Sequence, residues 1–328
     1  MVMKVVLIYR KSKKGAYSIE ELFHTIAGEL GKQVEVIEYE AGSRWHILKD
    51  LWRLRKINAD IYHVVGDVHY FVMLLPQCKT VLTIHDIYHY LNDLSGIKRF
   101  IYKWIWLLGP LRYAGAVTVI SNTTRDNIIN NFGFLKKHIN VIENCHSSLI
   151  KPVVRAFNAA CPLILHLGTQ PHKNVPRLIQ ALSGIDCQLI LIGKVNSSLK
   201  QQLIDNKINY ISRSDLTHEE ICQQYRDSDI VSFVSLAEGF GMPIIEAQAT
   251  GRPLITSNVS PMREVAGEGA CLVDPLDIST IRESILKIVA DSDYRGRLVE
   301  NGLRNVVRFS PTNISDLYLN LYKRIRRF

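Results

Sequence analysis

Nowhere do these 328 residues contain the run of about 18 apolar positions that a membrane-spanning helix needs. The six cysteines, Cys78, Cys145, Cys161, Cys187, Cys222 and Cys271, show no CxxC or CxxH spacing. That sets aside a zinc site and a disulfide framework, and reads as reduced core thiols in a cytosolic protein. No repeat of solenoid period is present. The opening nine residues lack the length and cleavage site of a secretory leader and are expected to form a first strand. A hydrophobic fraction of 47% with 22% charged residues excludes disorder, collagen and coiled coil. The length suits two domains, each able to bury its own core.

Charge is uneven. The chain is +9 overall, but residues 43–57, 97–112 and 323–328 each carry +4, so the remainder is −3. The basic excess is therefore local. All four tryptophans, Trp45, Trp52, Trp104 and Trp106, lie in the first two of these segments. Basic segments with interleaved aromatics favour anionic lipid interfaces. The same aromatics read equally well as core anchors with solvated basic rims. Nucleic acid is set aside as a partner, because no recognised module or aromatic platform for it is present.

Short β-branched runs alternate with amphipathic stretches. Strands are expected at 4–9, 34–39, 61–65, 80–85, 116–121 and 140–142. A second series is expected at 163–167, 188–192, 209–211, 230–234, 253–256 and 271–273. Between them, Ile19, Leu22, Phe23, Ile26 and Leu30 recur at helix spacing. Such alternation implies parallel sheets covered on both faces. The expected fold class is therefore α/β, with two doubly wound, Rossmann-like domains facing across a cleft. The boundary is expected near residue 150, giving 1–150 and 151–311. Ligands bind such sheets at the carboxyl ends of the strands, so the loops there are where chemistry is sought.

The most informative loop follows the run at 230–234. It reads Ser235-Leu-Ala-Glu238-Gly-Phe240-Gly241-Met242-Pro243-Ile-Ile-Glu246. The glycines permit a tight turn, and Pro243 suits the first turn of a helix, where its missing N–H costs nothing. Backbone N–H groups around 240–244 would then form an anion-binding helix start. Glu246, about one turn into that helix, could accept hydrogen bonds from vicinal hydroxyls, whereas two glutamates there could also simply complement the helix dipole. A second loop, Gly168-Thr169-Gln-Pro-His172-Lys173-Asn174, joins a strand to a helix expected to be capped by Asn174. Lys173 is placed to meet phosphate as a point charge, the plainer alternative being a solvated lysine. His85-Asp86 closes the run at 80–85. The pair fits a cleft, and fits equally a packed imidazole beside a capping aspartate. Asp227-Ser-Asp229 and Asp291-Ser-Asp293 match a DxD pattern but do not follow a strand, so both read as caps or turns and no metal ligand is assigned.

These residues resemble the E-x7-E signature of the family-4 retaining glycosyltransferases, which have the GT-B fold. The likeness continues through 247–258, Glu264 to Gly267, Val273-Asp274-Pro275, residues 216–229 and residues 163–183. In the N-terminal half it rests on Thr83 to Asp86 and Val119 to Asn122. The resemblance implies an acceptor-binding first domain and a nucleotide-sugar-binding second one, with a helix near 312–328 packing back on the first. It implies that Glu246 binds the nucleotide ribose, that Glu238 and His85 face the donor sugar, and that the amides of Phe240, Gly241 and Met242 contact sugar or diphosphate. Gly168, Thr169, His172 and Lys173 would line the diphosphate, while Gly193 and Ile211 would lie near the base. Gly15, in the loop 11–16, would approach donor or acceptor, and Asp86 is a further candidate for the same role. A UDP- or GDP-sugar would be the donor substrate, and no bound cofactor or metal is implied. The acceptor would be a glycan or lipid-linked, with 43–57 and 97–112 on an anionic membrane. One departure is plain: Thr169 stands where many members carry a base, and His172 where others carry arginine. Two rivals remain, a GT-B nucleotide-sugar 2-epimerase and a non-catalytic sugar-nucleotide-binding scaffold.

Overall fold

The computed structural model describes residues 2–10, 18–42, 46–133 and 139–326. The expected loop at 11–16, with Gly15, and Trp45 lie outside them. The chain divides into two compact units, 1–145 with 310–328, and 146–309.

In the first unit the elements run β1 (Lys4–Tyr9), α1 (Ser18–Leu30), β2 (Glu35–Glu40), α2 (Ile47–Ile57), β3 (Ile61–Val64), β4 (Thr80–Ile84), α3 (Gly96–Tyr102), α4 (Gly109–Tyr113), β5 (Ala116–Val119), α5 (Asn122–Phe132) and β6 (Ile139–Val141). A π-helical stretch, Lys103–Leu108, joins α3 to α4. The strands form one parallel sheet in the order β2-β1-β3-β4-β5-β6. The order reverses between β1 and β3. Because βαβ crossovers are right-handed, the reversal sends α1 to one face and the later connections to the other. Leu22, Phe23, Ile26 and Leu30 of α1 accordingly share a core layer with Ile314, Tyr318 and Tyr322. Leu54 of α2, Phe71, Leu107, Leu111 and Phe132 share the opposite layer.

The second unit runs β7 (Leu163–Leu167), α6 (Val175–Leu182), β8 (Gln188–Ile192), α7 (Ser197–Asp205), β9 (Asn209–Arg213), α8 (His218–Asp227), β10 (Ile230–Phe233), α9 (Met242–Thr250), β11 (Leu254–Ser257), α10 (Met262–Ala266), β12 (Cys271–Val273), α11 (Ile278–Ala290) and α12 (Ser292–Val306). Its parallel sheet has the order β12-β11-β10-β7-β8-β9, with the reversal between β7 and β10. The last helix, α13 (Pro311–Arg326), belongs to the first unit. It is fastened there by a buried relay. The Tyr322 hydroxyl meets His63 Nδ1 at 2.6 Å, His63 Nε2 meets Thr83 Oγ1 at 2.7 Å, and Thr83 meets Thr118 at 2.6 Å. Burial pushes the His63 imidazole down to about 3, so it is neutral in this relay.

Candidate active site

In open α/β sheets the crevice at the order reversal is the ligand site, because neighbouring loops there diverge to opposite faces. In the second unit those loops follow β7 and β10, and the strongest sequence candidates lie on them. Gly168 has φ of +92°, and a Cβ there would come within 2.9 Å of the Lys173 side chain. Glycine therefore lets Lys173 fold back over its own loop. A 3₁₀ turn, Pro171–Lys173, follows, and Leu236 N–H donates to the His172 carbonyl at 2.7 Å, tying the two loops together.

Asn174 does not cap α6 with its side chain, as its residue type had predicted. It adopts the left-handed conformation, φ +64°, and is buried. Its amide instead donates to the carbonyls of Val234 at 3.0 Å and Pro275 at 2.6 Å. Local capping yields here to a tertiary suture that fixes the start of α6 against the end of β10.

The loop after β10 brings Glu238 onto Lys173. Nζ donates to Oε1 at 2.6 Å, and the two side chains are only 16% and 14% exposed. Lys173 also lies over the Phe233 ring at 4.9 Å. Phe240 is anchored edge-on against Phe309, with centroids 5.7 Å apart. Gly241 has φ of +111°, and a Cβ there would meet Ile244 Cδ1 at 2.8 Å. The turn thus enters α9 tightly, with Met242 and Pro243 in its first turn.

Glu246, one turn into α9, is almost fully buried and accepts a hydrogen bond from the Tyr225 hydroxyl at 2.6 Å. Burial pushes its carboxyl above the usual carboxylate range, while the Tyr225 bond and nearby His218 pull it back. Gly193, φ +140°, packs against Thr169, and the Thr169 hydroxyl donates to the Lys194 carbonyl at 2.8 Å. Thr169 is thus tied to the loop after β8. Ile211 lies within the edge strand β9, paired with Ile190, and not in a loop.

His85 and Asp86 follow β4 in the first unit. His85 Nε2 lies 2.9 Å from the Val65 carbonyl. A carbonyl only accepts, so Nε2 carries the proton and Nδ1 keeps a lone pair. Burial lowers the pKa of this ring, against the opposing pull of the Val65 bond and Asp86, and so favours the neutral form. Asp86 accepts the Tyr88 N–H at 2.9 Å and so braces its own turn.

Two residues carried no signal that sequence reading had used. Tyr225 looked like one apolar position of a helix, and its partner lies 21 residues away. His166 breaks the apolar run of β7; both its ring nitrogens are buried without a hydrogen-bond partner, as is the hydroxyl of Ser232, its cross-strand neighbour. The two DxD matches are structural. Asp229 accepts the Leu163 N–H at 2.9 Å and pairs with Arg155, and Asp291 caps α12 through the Tyr294 N–H. Among the described residues no group of three His, Cys, Asp or Glu side chains is placed to hold a metal.

The family model described as "Glycosyltransferase Family 4" matches residues 5–146, and "Glycosyl transferases group 1" matches 155–305. The chain is 27% identical to O-antigen chain mannosyltransferase B of Escherichia coli, over 87% of this chain and 79% of that protein. It is 25% identical to the serotype-specific mannosyltransferase WbdA of Escherichia coli, over 83% of this chain but only 38% of WbdA. Anabaena Alr3699/HepE, solved in complex with UDP and glucose, superposes with a TM-score of 0.75 at 17% identity, covering 98% of this chain and 99% of that one. That likeness extends the GT-B fold over both units.

Proposed function

Because the chain belongs to the family-4 glycosyltransferases, we propose that it transfers a hexosyl unit, with retention, from a nucleoside diphosphate sugar to a glycan or lipid-linked acceptor in cell-surface polysaccharide or glycoconjugate assembly. The names of its mannosyltransferase relatives favour mannose as the sugar. UDP- and GDP-sugars are the donors to test. The reaction is placed in the cytoplasm, at an anionic membrane reached through 43–57 and 97–112. No helix among the described residues is long and apolar enough to cross a membrane.

The observation that carries this reading is the Lys173–Glu238 pair at the second sheet's order reversal. In the free protein Glu238 holds the ammonium. An incoming diphosphate offers more negative charge, takes Lys173 as its counter-ion and releases Glu238 toward the sugar. The amides of Phe240, Gly241 and Met242 add the positive potential of a helix start. Together they stabilise the leaving diphosphate without a metal. Glu246 accepts the ribose hydroxyls, and His85 offers its Nδ1 lone pair to a sugar hydroxyl. As the bond from the anomeric carbon to the phosphate oxygen breaks, the acceptor oxygen bonds to that carbon on the same face. The departing phosphate takes the acceptor's proton, so no enzymic nucleophile is used.

Incubation with a panel of nucleotide sugars tests the reading, following diphosphate release and the anomeric configuration of the product. Release that requires acceptor, with a retained product, is expected. Formation of a donor epimer, or binding without turnover, would replace the reading with an isomerase or a scaffold.

A further inference from the structure

An amphipathic helix normally turns its apolar stripe toward the core. Residues 97–105 do the reverse. Ile97, Phe100, Ile101, Trp104 and Ile105 recur at the i, i+3, i+4, i+7, i+8 spacing of one helical face, and all are exposed, Ile97 by 73%, Phe100 by 60% and Trp104 by 44%. The π-helical stretch then turns Leu107 and Leu108 into the core. Trp106 is also drawn inward: its indole donates to Asp67 at 2.7 Å and stacks on Tyr102. The two tryptophans of this segment therefore have opposite roles. Lys98, Arg99, Lys103 and Arg112 flank the exposed stripe, with no acidic residue in 97–112. The sheet order places α2 on the same side of the first unit, in the same core layer. There Leu48 and Trp52 are exposed too, and Lys56 lies over the Trp52 ring at 3.5 Å.

We propose that residues 97–105 form a ridge that inserts into the interface of an anionic bilayer and seats the first unit on it, with α2 as a second, weaker contact. A contiguous apolar stripe on a water-exposed face marks an interaction surface. A basic, aromatic stripe of this kind favours anionic lipid as the partner. The inference rests on the reading of a lipid-linked acceptor and names where that acceptor's membrane is met.

The test uses the full chain with zwitterionic vesicles, with and without an anionic phosphatidylglycerol fraction, at low and high salt. Co-sedimentation with the anionic vesicles and a blue-shifted tryptophan emission are expected, weakening with salt. Phe100→Ser with Trp104→Ser should lose binding by tenfold or more, an estimate from the apolar area withdrawn from lipid. Lys98→Ser with Lys103→Ser should lose about fivefold per base. Trp106→Phe should still bind. Equal failure to sediment with either vesicle, or undiminished binding of the Phe100/Trp104 variant, would overturn the proposal. So would a dimer that this variant dissolves, which would assign the ridge to a second copy. Transfer to a water-soluble acceptor is measured alongside: the ridge variant should retain it, and its absence from the parent protein would count against the transferase reading alone.

A second inference rests on the Tyr225–Glu246 bond. We propose that Tyr225 is a positioning residue that, through this bond, holds the Glu246 carboxyl aimed at the nucleotide ribose. The Tyr225 hydroxyl and His218 are the polar and titratable groups facing this buried carboxylate. In Tyr225→Phe the remaining burial would raise the carboxyl further, so ribose binding would fade at a higher pH as acid is added. The expected result is a raised donor KM with a nearly unchanged kcat, and loss of the preference for a ribonucleoside diphosphate over its 2′,3′-dideoxy analogue. An unchanged preference, or a fall in kcat alone, would overturn it. If the parent chain binds neither nucleotide, the donor-site reading itself fails.

Discussion

The two units share one architecture and use it differently. Each is a six-stranded parallel sheet with a single order reversal. In the second unit the loops at the reversal are tied to one another, and they hold a cation and a carboxylate in contact. In the first unit the residue after β4 is an imidazole whose proton is committed to Val65, and the outer helices carry an apolar, basic face to solvent. All four tryptophans of the chain lie in the first unit and none in the second. A fold of this kind does not dictate function; the loops and outer layers do. On the proposed reading the second unit holds an anion, and the first presents neutral acceptor atoms and meets a surface.

The largest effect expected on that contrast comes from Glu238→Ala. Transfer should fall by about 10²-fold or more. Affinity for the nucleoside diphosphate should rise, because Lys173 loses its competing carboxylate. Steady-state kinetics with parallel nucleotide titration checks both signs, and a parallel fall of the two would break the exchange argument.

Next is the relay that fastens α13. Tyr322→Phe leaves His63 Nδ1 buried without its partner, at a cost of about 1–3 kcal/mol to the first unit. Thermal melting with probes in each unit should show the first unit's transition lowered and the second's unmoved.

Acidification should separate the units more gently. His63 is held at about 3 in the folded chain and titrates near its ordinary 6.5 when unfolded. The unfolded state therefore binds the extra proton between these values. The stabilising contribution is complete above 6.5 and is lost as pH falls toward 3, at roughly 1.4 kcal/mol per unit. His69 and His85 shift the same way through burial. In the second unit His166, held at about 4, and His146 are lowered too. The first unit should therefore melt earlier as pH drops from 7 to 5, read by circular dichroism and by the two probes; an earlier loss of the second would contradict this reading. The smallest effect is expected of Thr169→Ser, which keeps the hydroxyl bond to Lys194. Its donor KM should change less than about threefold, within the energy of one neutral hydrogen bond.

Much of this was legible in the chain. Each expected run became a strand within a few residues, and the inner ones were plainest because a parallel strand buried on both faces leaves a continuous β-branched signal. The E-x7-E loop carried its own geometry, since its glycines and Pro243 announce a tight turn into a helix start, which is what α9 shows. What stayed hidden was tertiary. Asn174 satisfied the local rule for a cap, yet its amide is taken by carbonyls 60 and 101 residues away. Trp104 and Trp106 read alike in sequence, yet within one π-helical stretch the first is exposed and the second is drawn in by Asp67 and Tyr102. Tyr225 and His166 lie in apolar patterns, and their significance rests on partners, or on missing partners, that only folding supplies.

The central claim is that the nucleotide is held by the second unit alone. Calorimetric titration of a nucleoside diphosphate into Lys173→Ala and His85→Ala tests it most directly. Loss of a charged hydrogen bond of about 1.5–3 kcal/mol should weaken binding to Lys173→Ala by roughly 10- to 150-fold, while His85→Ala should bind as the parent does. Equal affinity for Lys173→Ala and the parent, or a loss confined to His85→Ala, would contradict the account.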